Sequence, residues 1–197
     1  HMYGNLKMFA GAAAYDGYAE YLREFLYPIL PHRGLLWILR VLLAGSIAVH
    51  VYSAVSLWLR ARQARGGVGY AAKRSIATGY AVRTMRWGGI IILAFVVFHL
   101  AHFTWLAIEI GGDYQVLGPY ERMVVSFQNW WLVLLYFIAV VLVGMHIRHG
   151  VWSAMATLGA SKKRREFVIN AIAIFIGLAV VVGFMLPPVA ILAGIIS

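Results

Sequence analysis

Long apolar stretches separated by charged segments dominate the pattern of this chain of 197 residues. Each stretch is long enough to cross about 30 Å of hydrocarbon as an α-helix. The predicted spans cover residues 35–59, 87–110, 130–158 and 167–196. The pattern therefore predicts the all-α class, as a transmembrane helix bundle with four full spans. Pro187-Pro188 near the end of the last span predicts a kink or an end of that helix.

An earlier segment, residues 12–27, has a different pattern. Apolar and aromatic side chains such as Tyr15, Leu22 and Phe25 recur at helical spacing, with acidic side chains between them. This alternation predicts an amphipathic helix that lies on the outer membrane surface. Pro28 would end it before the first span.

The basic residues are concentrated in two loops, one before the second span and one before the fourth. Six of the seven acidic residues fall on the opposite side. Loops rich in Lys and Arg face the cytoplasm. The formal net charge of +10 is therefore explained by topology or by docking of a soluble partner, and no nucleic-acid partner is predicted. The basic loop residues are Arg60, Arg62, Arg65, Lys73, Arg74, Arg83, Arg86, Lys162, Lys163, Arg164 and Arg165.

The composition agrees with a membrane protein and limits its chemistry. The chain is 62% hydrophobic and only 12% charged, which is typical of an integral membrane protein. It contains no cysteine. Iron–sulfur clusters, disulfides and covalently attached c-type haem all need thiols, so this chain holds none of them. Any haem on it would be a non-covalent b-type haem.

Histidines inside the apolar stretches are the strongest functional signal. His50, His99, His102 and His146 lie within predicted spans, and His149 lies at the end of one. Ionisable side chains at bilayer depth are costly, and by default they indicate a functional site. Imidazole is also the usual nitrogen ligand of iron. Several such histidines on neighbouring helices predict haem held inside the bundle.

Depth within the spans separates these histidines. His50 and His146 fall at a similar depth in the cytoplasmic half, where they could fill both axial positions of one haem. His99 and His102 lie in the outer half and share a helix face because they are three residues apart. One of these two could ligate a second haem while the other binds a propionate or a quinone oxygen. His149, nearer the polar boundary, suits a propionate or a structural role.

Several arginines lie in or beside the spans, and each could pair with an otherwise buried haem propionate. Two of them, Arg83 and Arg86, could equally be interfacial anchors. The four candidates are Arg40, Arg83, Arg86 and Arg148.

Four sequence motifs carry a resemblance to a known family. They are the N-terminal run at residues 1–9, Arg83-Thr84-Met85-Arg86-Trp87-Gly88-Gly89, Phe98-His99-Leu100-Ala101-His102-Phe103, and His146-Ile147-Arg148-His149-Gly150-Val151-Trp152-Ser153. In their order and spacing they resemble the di-haem cytochrome b membrane-anchor subunit of succinate dehydrogenases and fumarate reductases. The resemblance covers essentially the whole chain, residues 1–197, as a single membrane-anchor domain. It implies a multi-pass protein of the bacterial inner (plasma) membrane with two b haems and menaquinone.

The resemblance also implies ligands and partners. His50 and His146 would ligate the haem nearer the cytoplasm, and His1 and His99 the haem nearer the outside. His102 and His149 would then lie beside a haem without ligating it. A flavoprotein subunit and an iron–sulfur subunit would bind on the cytoplasmic side. The family has five membrane helices, so one further helix is expected before His1.

The expected function is that of an electron-relaying subunit in a succinate:menaquinone oxidoreductase complex. The dehydrogenase chemistry would belong to the flavoprotein, the quinone would be reduced on or near this chain, and no catalytic residue is assigned. Some fumarate reductases of the family carry a glutamate where Gly144 stands here, so succinate oxidation is favoured. Acidic residues of the amphipathic helix could exchange quinone protons or form only a solvated face; these are Asp16, Glu20 and Glu24.

Two alternatives remain at this point. A cytochrome b anchor of a hydrogenase or formate dehydrogenase would also place histidines in membrane helices, but its catalytic subunits lie outside. A haem-free transporter could use the same histidines as a proton relay.

Overall fold

The computed structural model describes residues 1–66, 76–159 and 163–197, and this part of the chain folds into α-helices without any strand. The helices are α1 (Met2–Leu6), α2 (Ala12–Glu24), α3 (Gly34–Arg65), α4 (Ile76–Phe103), α5 (Pro119–Phe127), α6 (Trp130–Thr157) and α7 (Lys163–Leu192), with a 3₁₀ turn at Lys7–Ala10. The chain forms two compact units, residues 1–17 with 80–197, and residues 18–79.

Four of these helices contain stretches long and apolar enough to cross a membrane. The stretches are Gly34–Ala64, Met85–Phe103, Trp130–Thr157 and Arg165–Leu192. The prediction of an all-α transmembrane protein with four spans is therefore confirmed. Three helices end at least three residues earlier than the sequence pattern indicated, and α7 is one of them, because it ends at Leu192 instead of residue 196. The second span ends at Phe103 instead of residue 110, and the amphipathic helix α2 ends at Glu24 instead of residue 27.

The early end of α4 has a local cause. The backbone N–H groups of Trp105 and Ala107 donate to the carbonyls of Leu100 and Ala101 at 2.7 and 2.8 Å. Such bonds close a helix end by satisfying its last carbonyls. Leu106, with φ of 54°, is in the left-handed region and turns the chain away from the helix axis. Apolar residues beyond Phe103 therefore belong to a loop, although their hydropathy matches that of the span.

The diproline does not end α7, which runs on to Leu192. Proline removes one N–H from the helix and crowds the carbonyl four residues earlier. For Pro187 that earlier residue is Gly183.

A Cβ added at Gly183 would overlap the sulfur of Met2. The glycine therefore provides the seat on which α1 docks against α7.

Helices α6 and α7 approach each other closely through a pair of glycines. A Cβ added at Gly144 would lie 2.9 Å from the carbonyl oxygen of Gly177, and a Cβ added at Gly177 would lie 2.8 Å from the carbonyl oxygen of Gly144. Small residues at such crossings let membrane helices pack backbone to backbone. A larger side chain at position 144, such as glutamate, would therefore have no room beside α7.

The beginning of α2 is tied to the beginning of α5. The backbone N–H of Tyr120 donates to Asp16 Oδ1 at 2.9 Å, and the N–H of Gly118 donates to Glu121 Oε2 at 2.8 Å. An acidic side chain on a helix N-terminus contributes about 1 kcal/mol. The ring of Tyr15 packs against that of Tyr120. Burial, followed by the neighbouring negative charge of Asp16, raises the pKa of Tyr15 to about 12.

Candidate functional site

Two of the predicted ligands, His1 and His99, lie side by side in the first unit. His1 stands at the start of α1, and its ring contacts the edge of Phe184 on α7. His99 lies in the last turns of α4. The ring centroids of His1 and His99 are 5.7 Å apart, with an angle of 42° between the rings. The docking of α1 on α7 thus brings the N-terminal residue to the second span.

This spacing fits two axial ligands of one iron atom. An imidazole nitrogen lies about 2 Å from a bound metal ion, so rings on opposite sides of one ion have centroids roughly 6 Å apart. A haem needs only two ligands from the protein, because its macrocycle supplies the others. The pair His1 and His99 therefore has the donor type, and a ring separation close to the value, that two ligands of one metal ion would have.

His99 is also part of a hydrogen-bonded cluster. Its Nδ1 lies 3.3 Å from the hydroxyl of Tyr136 on α6. The same hydroxyl lies 3.0 Å from Nδ1 of His102, a residue with no exposed surface. Tyr136 therefore bridges the two histidines that the sequence placed on one helix face.

The cluster continues into the loop after α4 and into α5. Nε2 of His102 lies 2.7 Å from the hydroxyl of Tyr114. Tyr114 donates to the carbonyl of Ile110 at 3.1 Å and is hydrogen-bonded with the hydroxyl of Ser126. Ser126 in turn donates to the carbonyl of Arg122. Both Tyr114 and Ser126 are fully buried.

Aromatic rings enclose this polar cluster. The ring of Phe95 lies 6.0 Å from His99, that of Phe103 lies 4.0 Å from His102, and that of Phe127 lies 5.0 Å from Tyr136. Apolar surroundings of this kind exclude water and strengthen the hydrogen bonds inside them.

His146 lies on α6 and contacts α4 at a different position along that helix from His99. A Cβ added at Gly89 of α4 would lie 3.8 Å from Cε1 of His146, an ordinary van der Waals distance, so the imidazole packs beside Gly89. Gly89 and His99 are ten residues apart in α4, or about 15 Å along the helix axis. The two predicted ligands His99 and His146 are thus at different depths.

The partner predicted for His146 belongs to the other unit. His50 lies on α3, where it shares a shallow groove with Gly45, Ser46 and Val49. The hydroxyl of Ser46 donates to the carbonyl of Leu42 at 2.7 Å, which satisfies this polar group within the helix. The pairing of His50 with His146 remains a prediction.

The other predicted side chains have varied surroundings. Nη2 of Arg148 donates to Asn170 Oδ1 at 3.4 Å, and the guanidinium of Arg40 lies 5.2 Å from the ring centroid of Trp37. The ring of His149 lies 6.3 Å from that of Trp152. Arg86 is exposed on α4. Seven predicted basic residues have side chains outside the described residues, namely Arg65, Lys73, Arg74, Arg83, Lys162, Lys163 and Arg164.

Sequence reasoning missed three residues of the cluster, which are Tyr136, Tyr114 and Ser126. Tyr136 had a weak signal, because it is a hydroxyl in an otherwise apolar stretch of the third span. Tyr114 and Ser126 had none, because they lie in a loop and a short helix that approach His102 only in the folded chain.

Comparisons of the chain with protein-family models, with curated proteins and with solved structures find no match. The family resemblance therefore rests on the motifs in the sequence, and the function follows as a proposal from the site.

Gly111 holds the loop that carries Tyr114, and its replacement by alanine is expected to destabilise the protein. Gly111 has φ of +88°, and an added Cβ would overlap the carbonyl oxygen of Val125. Left-handed strain and overpacking together predict a loss of about 2–4 kcal/mol in the free energy of unfolding. Thermal unfolding in detergent measures it. Gly112→Ala is the control, because its Cβ would mainly meet the flexible end of Leu117, and an equal loss in both variants would contradict the prediction.

Proposed function

We propose that this chain is the di-haem cytochrome b membrane anchor of a succinate:menaquinone oxidoreductase of the bacterial inner membrane. In this role it relays electrons from an iron–sulfur subunit to menaquinone, while a flavoprotein subunit oxidises succinate. The observation that carries the proposal is the pair His1 and His99, with ring centroids 5.7 Å apart. These are the two residues that the family resemblance assigns as ligands of the outer haem.

The difference in depth between His99 and His146 supports two haem sites. His146 faces Gly89, about 15 Å along α4 from His99. Under the proposal His1 and His99 hold the outer haem, and His146 with His50 holds the inner one. Bound haems supply one-electron transfer, with potentials set by the axial ligands and the surroundings.

The residues around His99 have separate tasks in this proposal. His1 and His99 bind, and the seat of Met2 on Gly183 orients His1. The hydroxyl of Tyr136, 3.3 Å from Nδ1 of His99, orients the imidazole ring. Phe95 and Phe103 exclude water from the imidazole of His99. The protein thus contributes ligation, orientation and a dry surrounding, and the catalytic dehydrogenase residues lie on the partner subunits.

The distribution of charge supports docking of the iron–sulfur subunit on the cytoplasmic side, and the packing of α6 supports succinate oxidation. The basic loops predict a cytoplasmic face on which the iron–sulfur subunit would dock. Asp16 caps α5 through the N–H of Tyr120, so this carboxylate has a structural task beside any exchange of quinone protons. The close contact of Gly144 with α7 leaves no room for the glutamate of some fumarate reductases. This supports succinate oxidation.

Purification of the protein from its native membrane tests the proposal. A reduced-minus-oxidised spectrum is expected to show b-type haem at a ratio of two per chain. A subunit with covalent flavin and a cysteine-rich iron–sulfur subunit are expected to copurify. Haem without these partners, but with hydrogenase or formate dehydrogenase subunits, would assign the chain to another respiratory complex. Absence of haem would support the transporter alternative.

A further inference from the structure

The buried hydroxyls and imidazoles around His102 form one continuous hydrogen-bonded chain. It begins at Nδ1 of His99, passes through the hydroxyl of Tyr136 to Nδ1 of His102, and leaves Nε2 of His102 toward the hydroxyl of Tyr114. It ends at two backbone carbonyls, those of Ile110 and Arg122, which are reached through Tyr114 and Ser126. Tyr136 contacts only His99 and His102 in this network, whereas Tyr114 contacts His102, Ser126 and the carbonyl of Ile110. Ser126 also lies 3.4 Å from Nε2 of His102. The proton of one group therefore restricts the role of the next.

The two backbone carbonyls at the end of this series determine which group donates in each of its hydrogen bonds. Carbonyl oxygens only accept, so Ser126 directs its single proton to the carbonyl of Arg122. Ser126 then has no proton for Tyr114, so the single proton of Tyr114 goes to the oxygen of Ser126, with the carbonyl of Ile110 as a second acceptor. Neither hydroxyl retains a proton for His102. Nε2 of His102 must therefore carry the proton of the 2.7 Å contact with Tyr114.

The same reasoning extends to His99. A charged imidazole without an acidic partner is costly in an apolar enclosure, so His102 is neutral and its Nδ1 accepts from the hydroxyl of Tyr136. The oxygen of Tyr136 can then only accept from His99. We infer that this chain holds His99 as the tautomer protonated on Nδ1, with the lone pair of Nε2 free to bind a metal.

Tyr136 and His102 are positioning residues on this inference, since they act on His99 and not on a bound group directly. A role of Tyr136 and His102 in haem binding rests on the proposed function, because only a metal bound at His99 would use the lone pair on Nε2. The tautomer itself depends only on the hydrogen bonds of the chain. A histidine ligand whose second nitrogen donates to a fixed acceptor keeps its ring orientation and gains basicity.

Nitrogen-15 NMR of the protein labelled at histidine and held in lipid nanodiscs tests the inference, first without haem and then after haem addition. The resonances of His99 are assigned by their loss in His99→Gln. In the haem-free wild type, His99 is expected to be protonated on Nδ1. Protonation on Nε2 would overturn the inference. The expected tautomer without binding of added haem would leave the inference standing and overturn the proposed haem function.

Tyr136→Phe removes the hydroxyl and keeps the ring that packs against Phe95 and Phe127. The ratio of the two His99 tautomers is expected to fall roughly fivefold to tenfold, the factor for the loss of one hydrogen bond. Tyr120→Phe is the matched control, because the hydroxyl of Tyr120 reaches the carbonyl of Ser197 and takes no part in the hydrogen bonds around His102. An unchanged ratio in Tyr136→Phe, or the same fall in both variants, would overturn the inference.

Discussion

Replacement of His99 by glutamine is expected to remove one of the two b-type haems proposed for this chain and to leave the other in place. Glutamine keeps a polar side chain at this position, but it does not replace imidazole as an axial ligand of b haem. The haem content per chain would fall by about half in a pyridine haemochrome assay, and one component of the reduced-minus-oxidised spectrum would disappear. His146→Gln is expected to remove the other component, because His146 lies at a different depth near Gly89.

Two variants control for indirect loss of haem. Tyr120→Phe removes a hydroxyl that reaches only the carbonyl of Ser197 and is expected to retain both haems. His32→Gln changes an exposed residue before α3 and is expected to change nothing. Unchanged haem content in both His99→Gln and His146→Gln would contradict the ligand assignment.

Alanine at Gly144 is expected to destabilise the bundle by about 1–3 kcal/mol through overpacking. The added Cβ would lie 2.6 Å from Cγ2 of Val181 and 2.9 Å from the carbonyl oxygen of Gly177. The backbone of Gly177 cannot rotate away as a flexible side chain would, so α6 and α7 must separate. The midpoint of unfolding in detergent, followed by circular dichroism during heating, measures the effect.

Gly150→Ala is the matched control for Gly144→Ala. Both glycines lie in α6, so both replacements reduce the freedom of the unfolded backbone equally. A Cβ at Gly150 meets no atom within 4 Å. This variant is therefore expected to be as stable as the parent or slightly more stable. Equal stability of the two variants would show that the contact between Gly144 and Gly177 is not close in the folded protein.

The four spans could be predicted because the length of an apolar run is a local property of the chain. A run of about 20 apolar residues satisfies its backbone within one helix and its side chains with lipid. The ends of the helices depend on more than hydropathy. Residues beyond Phe103 are apolar, yet the bonds of Trp105 and Ala107 to earlier carbonyls end α4. The reverse holds at Pro187, which α7 passes without ending.

The histidines could be singled out from the sequence because an imidazole in an apolar run is costly wherever the helix packs. Their spacing placed His99 and His102 on one face, and the resemblance supplied His1 as the partner of His99. The network around them could not be predicted, because Tyr114 and Ser126 reach His102 from outside the span.

The all-α membrane class and the imidazoles within the spans can be read from the sequence alone, since both depend on side chains within one helix. The neighbours of those imidazoles depend on the packing of distant segments. The docking of α1 on Gly183 brings His1 to within 5.7 Å of His99. Tyr136, Tyr114 and two backbone carbonyls then set the direction of the hydrogen bonds that reach His99. Hydrogen bonds need contacts within about 3 Å, and only the packing of distant segments creates them.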